Sequence, residues 1–232
     1  MNCDAIAPFY RWIEYASFGS LLERVRCSSL ARLAPGAHAH ALVIGDGDGR
    51  FLAALSRRLP NLKIDAVDSS RAMIALASRR GPGVRFHHRD ARNWIPPAVY
   101  SLVVTHFFLD CLTQDELDAL VQRVAGCVEP GALWIVSEFA IPRSGWRNWR
   151  ARFWLRAMYL FFGAATGLEV RRLPDHSATL GAHCFVCESR ETFSAGLVAA
   201  EVWRFTPTAP PPTSSSLPGT PPSPSDRPAG CP

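Results

Sequence analysis

Apolar residues recur along this chain with two different spacings, and their alternation predicts the secondary structure. Between residues 10 and 33 they fall at helical spacing, which predicts one helix ending before Pro35 and Gly36. Five short apolar runs predict strands, at residues 41–44, 62–67, 84–87, 100–105 and 133–139. Helix-forming segments separate several of them, at 51–59, 71–80 and 114–127. Strands and helices alternating at this rhythm predict βαβ units and a parallel sheet.

The pattern changes after the fifth strand. An aromatic-rich segment at 146–165 predicts a long helix, irregular near Gly163, and a short helical piece follows at 176–180. Residues 183–189 and 197–205 predict two strands, and the connection of about seven residues between them favours an antiparallel hairpin. The expected fold class is therefore α/β: a Rossmann-like, seven-stranded, mostly parallel sheet with a C-terminal antiparallel hairpin and helices on both faces.

Composition divides the chain into three expected parts. Residues 206–232 are almost entirely Pro, Ser, Thr and Gly, which predicts a disordered tail because such a segment buries too little apolar surface to offset its ordering entropy. Residues 37–205 suit one α/β domain, and residues 1–36 are expected to form a helical cap before it.

Charge and cysteine content narrow the class of protein. The net charge of +5 comes almost wholly from arginines, and their scatter along the chain is typical of solvated helix ends and loops. Seven cysteines without framework spacing predict free thiols in a reducing compartment. Neither a signal peptide nor an apolar run long enough to span a membrane is recognisable, so a cytoplasmic location is expected. Cys184 and Cys187 have no second pair, so no metal site is expected.

A glycine loop follows the first predicted strand and precedes the first helix, where sheets of this kind bind an adenosine-containing ligand. Its pattern is G-x-G-x-G, with Gly45, Gly47 and Gly49, and does not fit the dinucleotide spacing G-x-G-x-x-G. The loop also carries Asp46 and Asp48. Two carboxylates would repel a pyrophosphate but favour a ligand bearing a sulfonium and an ammonium, as S-adenosylmethionine does. An NAD- or nucleotide-binding Rossmann protein remains an alternative.

Two further acids end predicted strands. Asp68 follows the second strand, where a carboxylate can accept hydrogen bonds from both ribose hydroxyls, while Ser69 or Ser70 caps the next helix. Asp90 follows the third strand and could accept from an adenine amino group, or could be a turn residue.

Several segments together resemble the class I S-adenosylmethionine-dependent methyltransferases, especially the small-molecule type related to quinone-biosynthesis enzymes. The matching segments are LVIGDGDGRF, IDAVDSSRAMIALA, VRFHHRDARNW, YSLVVTHFFLDCL and VEPGALWIVSEF. The resemblance implies that the main domain is a methyltransferase domain using S-adenosyl-L-methionine. The sequence departs from the family pattern at two positions. Val43 stands where an acidic residue is common, and Ser101 stands where an aspartate commonly opens the fourth strand.

The resemblance also implies a role for particular positions. The three loop glycines would line the methionine part of the cofactor, with Asp46 compensating for Val43, and Asp68 would hold the ribose beside Ser69. The remaining cofactor positions are Met73 near the adenine, Asp90 and Ala91 at the adenine edge, and Thr105 and His106 under the sulfonium.

Residues His106 and Asp110, in the sequence THFFLDC after the fourth strand, are the candidates for acceptor contact or general-base catalysis. A satisfied structural histidine and a helix-capping aspartate are an equal alternative. The aromatic helices predict a small, partly hydrophobic methyl acceptor. The sequence has neither an N/D-P-P-Y/F-like tetrad nor a concentrated basic stripe, so a nucleic-acid substrate is not expected. A catalytically inactive methyltransferase-like binding domain is a further alternative, and the oligomeric state is not predicted.

Overall fold

A computed structural model describes residues 4, 10–81, 83–140 and 174–207, and it contains a seven-stranded sheet in the order β3-β2-β1-β4-β5-β7-β6. The strands are β1 (His40–Ile44), β2 (Lys63–Asp68), β3 (Arg85–His88), β4 (Tyr100–His106), β5 (Val128–Phe139), β6 (Phe185–Phe193) and β7 (Val198–Phe205). The first five pair in parallel, and β7 runs antiparallel to both β5 and β6. The expected fold class is confirmed.

Helices lie on both faces of this sheet. Those described are α1 (Tyr10–Phe18), α2 (Leu21–Ser28), α3 (Arg50–Arg58), α4 (Arg71–Ser78), α5 (Gln114–Ala125) and α6 (His176–Ala182). Short 3-10 turns occur at Ser29–Arg32, Leu109–Cys111 and Ser194–Gly196. A capping box begins α5: the Thr113 side chain accepts from the Glu116 amide, and the Glu116 side chain accepts from the Thr113 amide. Every helix among the described residues is too short or too polar to span a lipid bilayer.

Apolar side chains from the strands alternate between the two faces and pack under different helices. On one face, Trp134 and Tyr100 pack with residues of α5 and α6. On the other, Phe51 and Leu55 of α3 cover β1, β2 and β4, and α2 covers β5 and β7 through Val25. The strands β1 and β4 are neighbours, and helices cover them on both faces of the sheet. Their carboxyl ends therefore lie side by side at the central part of one sheet edge.

Three predicted elements differ from the structure. The helix expected over 10–33 is two helices and a 3-10 turn, because Gly19 takes a positive φ of 58° between them. The fifth strand begins at Val128, and its pairing with β4 is irregular between Tyr100 and Leu102. The hairpin is tighter than expected, since β6 extends to Phe193. The aromatic helix predicted at 146–165, and the tail beyond residue 207, lie outside the described residues.

Candidate functional site

The glycine turn after β1 passes between two neighbouring elements with almost no spare room. Gly45 has a φ of 67°, and a Cβ there would come within 2.7 Å of Cδ2 of Phe108, in the loop after β4. Gly49 has a φ of 83°, and a Cβ there would lie 2.5 Å from the Cα of Ala77 in α4. Side chains at these positions would therefore be both strained and obstructed. The turn brings bare backbone close to the carboxyl edge of the sheet.

Of the two acids in this turn, Asp46 and Asp48, it is Asp46 that has a carboxylate oxygen without a hydrogen-bond donor among the described residues. Its Oδ2 accepts from the backbone N–H of Leu52 at 3.2 Å, whereas Oδ1 is buried and has no hydrogen-bond partner in the described part of the chain. Burial raises the pKa of Asp46 to about 7, against the opposing charge of Arg26. A positive ligand group at Oδ1 would restore the ionised form.

Asp48, the other acid of the turn, has a structural role. Its carboxylate is buried and pairs with Arg50 Nε at 3.0 Å and Arg80 Nη1 at 2.9 Å. Arg50 also reaches Glu14 of α1 at 3.0 Å, and Glu14 holds Arg26 of α2 bidentately at 2.7 and 2.8 Å. The charge of Asp48 is thus neutralised within the protein, so the acidity that the loop offers a ligand comes from Asp46.

Asp68 ends β2 next to the glycine turn, where a ribose-binding carboxylate was expected. Its Oδ1 accepts from the Ser70 N–H at 2.8 Å. Burial raises the pKa of Asp68 to about 6, and the nearby Asp4 carboxylate adds to the effect. Asp46 and Asp68 both line a solvent-open cleft of about 210 Å3, whose walls include Val67 and Phe86. The structure thus brings together two of the predicted cofactor-binding acids.

The residues after Asp68 begin α4. Ser70, rather than Ser69, caps the helix, since its hydroxyl oxygen accepts from the Met73 N–H at 3.1 Å. The Ser69 carbonyl faces His88 Nε2 at 3.1 Å, and the Met73 side chain is buried. Asp4 also contacts this helix end, accepting from the Ser70 hydroxyl and the Ala72 amide.

Asp90 follows β3, but its carboxylate is already engaged. Arg92 Nη2 donates to it at 2.6 Å, and this hydrogen bond is the main cause that lowers the pKa of Asp90. Its backbone carbonyl accepts from Trp94 N at 3.0 Å, as in a turn, and Ala91 is buried beside it. An adenine contact at Asp90 and Ala91 stays a prediction.

Thr105 and His106 end β4 and point to opposite faces of the sheet. The Thr105 hydroxyl oxygen accepts from Trp134 Nε1 at 3.0 Å, on the α5 side. The His106 ring packs edge-on against Phe51 of α3, with ring centroids 4.4 Å apart. Both ring nitrogens are buried without a hydrogen-bond partner among the described residues, and burial lowers the pKa of His106 well below its ordinary value. His106 is therefore a neutral imidazole.

Asp110 lies in the 3-10 turn after β4 and is buried. The Cys111 thiol donates to its Oδ1 at 3.4 Å, and the neighbouring Leu109 packs in the core under α5. Since His106 packs under α3, the two catalytic candidates are not brought together by a hydrogen bond. Their catalytic roles stay predictions.

Ser137 and Glu138, at the end of β5, belong to the same edge and are absent from the predicted site. Ser137 is the register partner of His106, and its hydroxyl is buried without a partner in the described residues. Glu138 Oε1 accepts from the amides of Phe108 at 3.1 Å and Leu109 at 2.8 Å. The only signal for them in the sequence is two polar residues closing an apolar strand, in WIVSEF.

Buried polar side-chain atoms without hydrogen bonds concentrate at this edge. Among the described residues they belong to Ser29, Asp46, His106, Arg123, Ser137, Glu138 and Glu201. Four of these seven, Asp46, His106, Ser137 and Glu138, lie at or just beyond the carboxyl ends of β1, β4 and β5. Buried polar groups are nearly always hydrogen-bonded, so these atoms require partners such as water or a ligand that are not among the described residues. No group of three His, Cys, Asp or Glu side chains suited to a metal occurs in the described part of the chain.

Fold and site together define a Rossmann-like α/β protein with a cleft at the carboxyl edge of its sheet, the edge at which open α/β sheets bind their ligands. Comparison with known proteins refines this class. Residues 41–131 match the family model described as a methyltransferase domain. A trans-aconitate 2-methyltransferase from Acidovorax ebreus (strain TPSY) is 30% identical over 119 residues, which are 51% of this chain and 45% of that protein. The chain thus spans about half the length of this curated relative.

Solved structures show the same fold at low sequence identity. The N-methyltransferase NodS from Bradyrhizobium japonicum WM9, in complex with S-adenosyl-L-homocysteine, has a TM-score of 0.52 and 16% identity, over 80% of this chain and 84% of that one. The mitomycin 7-O-methyltransferase MmcR has a TM-score of 0.60 and 17% identity, over 89% of this chain and 61% of that one. Residues 41–131 are thus similar in sequence to methyltransferase domains, and the fold of the chain is that of the solved methyltransferase structures.

Proposed function

We propose that the protein transfers a methyl group from S-adenosyl-L-methionine to a small, partly hydrophobic acceptor. The observation that carries this proposal is the pair of partly buried carboxylates, Asp46 and Asp68, beside a glycine turn that has no room for side chains at Gly45 or Gly49. Asp46 keeps an unpartnered oxygen for a positive group. The sulfonium and ammonium of this cofactor supply positive charge, and its ribose supplies two donors. The names of the related proteins support a small-molecule acceptor.

The predicted binding residues take the following roles in this proposal. Gly45, Gly47 and Gly49 lie along the methionine part of the cofactor, and Asp46 accepts from its ammonium in place of the acid that Val43 lacks. Asp68 accepts from the ribose hydroxyls beside Ser69. The other contacts would come from Met73, Asp90 and Ala91 at the adenine and from Thr105 and His106 near the sulfonium.

Methyl transfer from S-adenosylmethionine is an in-line displacement from an activated sulfonium, so positioning and exclusion of water supply much of the rate. The buried aromatic and neutral groups at the end of β4 would exclude water there. His106 and Asp110 are the candidates to hold the acceptor or take its proton. The neutral state of His106 leaves one ring nitrogen able to accept.

The proposal also covers the organisation of the whole chain. It includes a helical cap at 1–36, a methyltransferase domain at 37–205, and a Pro/Ser-rich tail at 206–232. Five cysteines in the described part are free thiols, which supports a reducing, cytoplasmic location. The partner expected is the small-molecule acceptor, without nucleic acid.

The role of Asp68 provides a direct test. Removing its carboxylate in Asp68→Ala takes away two charge-assisted hydrogen bonds, so binding of S-adenosyl-L-homocysteine should weaken by about 2–4 kcal/mol. Isothermal titration calorimetry measures this difference. Asp115→Ala removes an exposed acid from the start of α5 and should bind like the wild type. An Asp68→Ala variant that binds as tightly as the wild type would refute the ribose assignment.

A further inference from the structure

Glu138 is a buried acid near the end of β5, and the cofactor contacts proposed above do not include it. The residue is 2% exposed. Its Oε1 accepts from the backbone N–H groups of Phe108 at 3.1 Å and Leu109 at 2.8 Å, two consecutive residues of the loop after β4. An oxygen that accepts from two successive amides fixes the backbone between them, and its burial excludes the water that could replace it. Glu138 therefore determines where this loop lies relative to β5.

The backbone at the start of this loop is strained. Phe107 has a φ of 54°, in the left-handed region that a residue with a Cβ adopts at a cost in free energy. Its N–H donates to the Ser137 carbonyl at 2.7 Å, which continues the pairing with β5 for one residue beyond the end of β4. Such a conformation persists only where surrounding contacts hold it. The two amide hydrogen bonds to Glu138 come directly after Phe107, so they hold the backbone on the other side of this turn.

Phe108, the first residue whose amide Glu138 holds, packs on the glycine turn. A Cβ at Gly45 would lie 2.7 Å from Cδ2 and 3.2 Å from Cγ of Phe108, so the aromatic ring occupies the space that a side chain at Gly45 would need. Gly45 begins the turn, and its own N–H donates to the Val67 carbonyl of β2 at 3.0 Å. The ring of Phe108 therefore limits how far the turn can move towards the loop after β4.

The glycine turn is supported differently at its two ends. At Gly49 a Cβ would lie 2.5 Å from the Cα of Ala77, and Ala77 belongs to α4, whose own backbone hydrogen bonds keep it in place. At Gly45 the neighbouring element is a loop, and a loop depends for its position on contacts with the elements around it. Glu138 supplies such contacts from β5, a strand paired on both sides. The end of the turn at Gly45 is therefore the one whose position depends on Glu138.

We propose that Glu138 is a positioning residue for the binding of S-adenosyl-L-methionine. It acts through the amides of Phe108 and Leu109, which set the Phe108 ring against Gly45 and keep the turn in the shape that receives the methionine part of the cofactor. This inference rests on the proposed function. It assigns a part in cofactor binding to a residue of β5 that does not itself touch the cofactor.

A purely structural role for Glu138 is the alternative that an experiment must separate. Leu109 is fully buried in the core under α5, and Phe107 packs against Phe139 with ring centroids 5.1 Å apart. These side-chain contacts hold the loop on both sides of Phe108. If they are sufficient, loss of the Glu138 oxygen lowers the stability of the protein but leaves the cofactor affinity of the folded state unchanged. Binding measured on folded variants therefore distinguishes the two roles.

The experiment measures binding of S-adenosyl-L-homocysteine by calorimetry to the full chain and its variants, each shown to be folded by circular dichroism. Glu138→Gln keeps an oxygen that can accept from both amides, so its Kd should stay within about twofold of the wild-type value. Glu138→Leu has a similar volume but no acceptor, so the loop is released and the Kd should rise about tenfold or more. Glu191→Leu, at an exposed position of β6, is the matched control and should bind like the wild type.

A double-mutant cycle with Phe108→Ala tests whether Glu138 acts through this aromatic ring. Phe108→Ala keeps both backbone amides but leaves the space beside Gly45 unfilled, so the Kd should rise about tenfold in this variant alone. Adding Glu138→Leu to Phe108→Ala should then raise the Kd by no more than about twofold, because the contact through which Glu138 acts is already lost. Phe205→Ala removes a partly buried phenylalanine at the end of β7, beside the beginning of β5, and should leave binding unchanged.

Wild-type affinity in a folded Glu138→Leu variant would overturn the inference, and so would losses that add fully in the double variant. If Glu138→Leu does not fold, Phe108→Ala with Glu138 intact decides the question. A raised Kd in that variant would then support the inference, and a wild-type Kd would overturn it. Failure of the wild type to bind S-adenosyl-L-homocysteine would instead refute the proposed function.

Discussion

At the scale of single residues, Asp46, Asp48 and Asp68 show how one side-chain type acquires different properties. Asp48 is buried with two arginines and serves the fold. Asp46 and Asp68 are held where ionisation is costly, so burial raises their pKa values to about 7 and about 6. Such carboxylates destabilise the ligand-free protein when they ionise, and a cationic ligand relieves that cost.

Binding of S-adenosyl-L-homocysteine should therefore depend on pH. In the free protein, the stabilisation from protonated Asp46 and Asp68 is present below their unfolded pKa values and is lost as the pH rises through about 6 and about 7. The ligand's ammonium and ribose favour the ionised carboxylates, so affinity should rise over that window and then level off. Calorimetry in two buffers of different ionisation enthalpy should detect proton release near neutral pH.

The variant Asp46→Asn provides the control for this dependence. It should bind more weakly and lose the part of the pH dependence near 7, while the part belonging to Asp68 remains. An affinity that falls as the pH rises from about 5 to about 8 would contradict the assignment of both acids.

At the scale of elements, the glycine turn works because α4 and the loop after β4 approach it closely. Gly49→Ala would place a methyl group 2.5 Å from the Ala77 Cα, a backbone atom that cannot rotate away. Added to the cost of a positive φ, this should destabilise the protein by about 2–4 kcal/mol in chemical denaturation. Gly36→Ala has a similar φ of 79° but nothing within 4 Å, so it should cost only about 1 kcal/mol. Equal losses in the two variants would show that the close packing of the turn against α4 is unimportant.

Most elements could be predicted from the sequence because buried parallel strands are short apolar runs between helix signals. The beginning of β5 could not be predicted, since Pro130 and Gly131 are typical turn residues. They are accommodated where residues 129–132 oppose Ser101 alone in an irregular pairing. The break at Gly19 was likewise hidden by helical spacing that continues on both sides of it.

Only part of the candidate site could be predicted from the sequence, because several of its contacts join residues that are far apart in the chain. Asp46 lies two residues after β1 and Asp68 is the last residue of β2, so the local sequence pattern locates them. The pairing of Asp48 with Arg80 joins residues 32 apart in the chain, and the contact of Glu138 with the loop after β4 joins residues 29 and 30 apart. No local pattern contains these contacts, because they depend on the order in which the strands pair.

At the scale of the whole molecule, the sheet order brings the carboxyl ends of β1, β4 and β5 side by side. Asp46, His106, Ser137 and Glu138, which carry unpartnered buried polar atoms, meet at this edge although they are spread over nearly a hundred residues of sequence. Such groups cost stability unless a ligand or water satisfies them, so a ligand that bonds to them would stabilise the folded protein.

The cofactor that binds at this edge of the sheet decides between a methyltransferase and an NAD- or nucleotide-binding protein, and one calorimetric series distinguishes them. The full chain is titrated separately with S-adenosyl-L-homocysteine, S-adenosyl-L-methionine, NAD and ATP at the same pH and salt concentration. Asp46 and the tight G-x-G-x-G turn favour the first two ligands, so each should bind with a Kd in the micromolar range, about 8 kcal/mol, while NAD and ATP give no saturable heat. Saturable binding of NAD or ATP, without binding of S-adenosyl-L-homocysteine, would contradict the account.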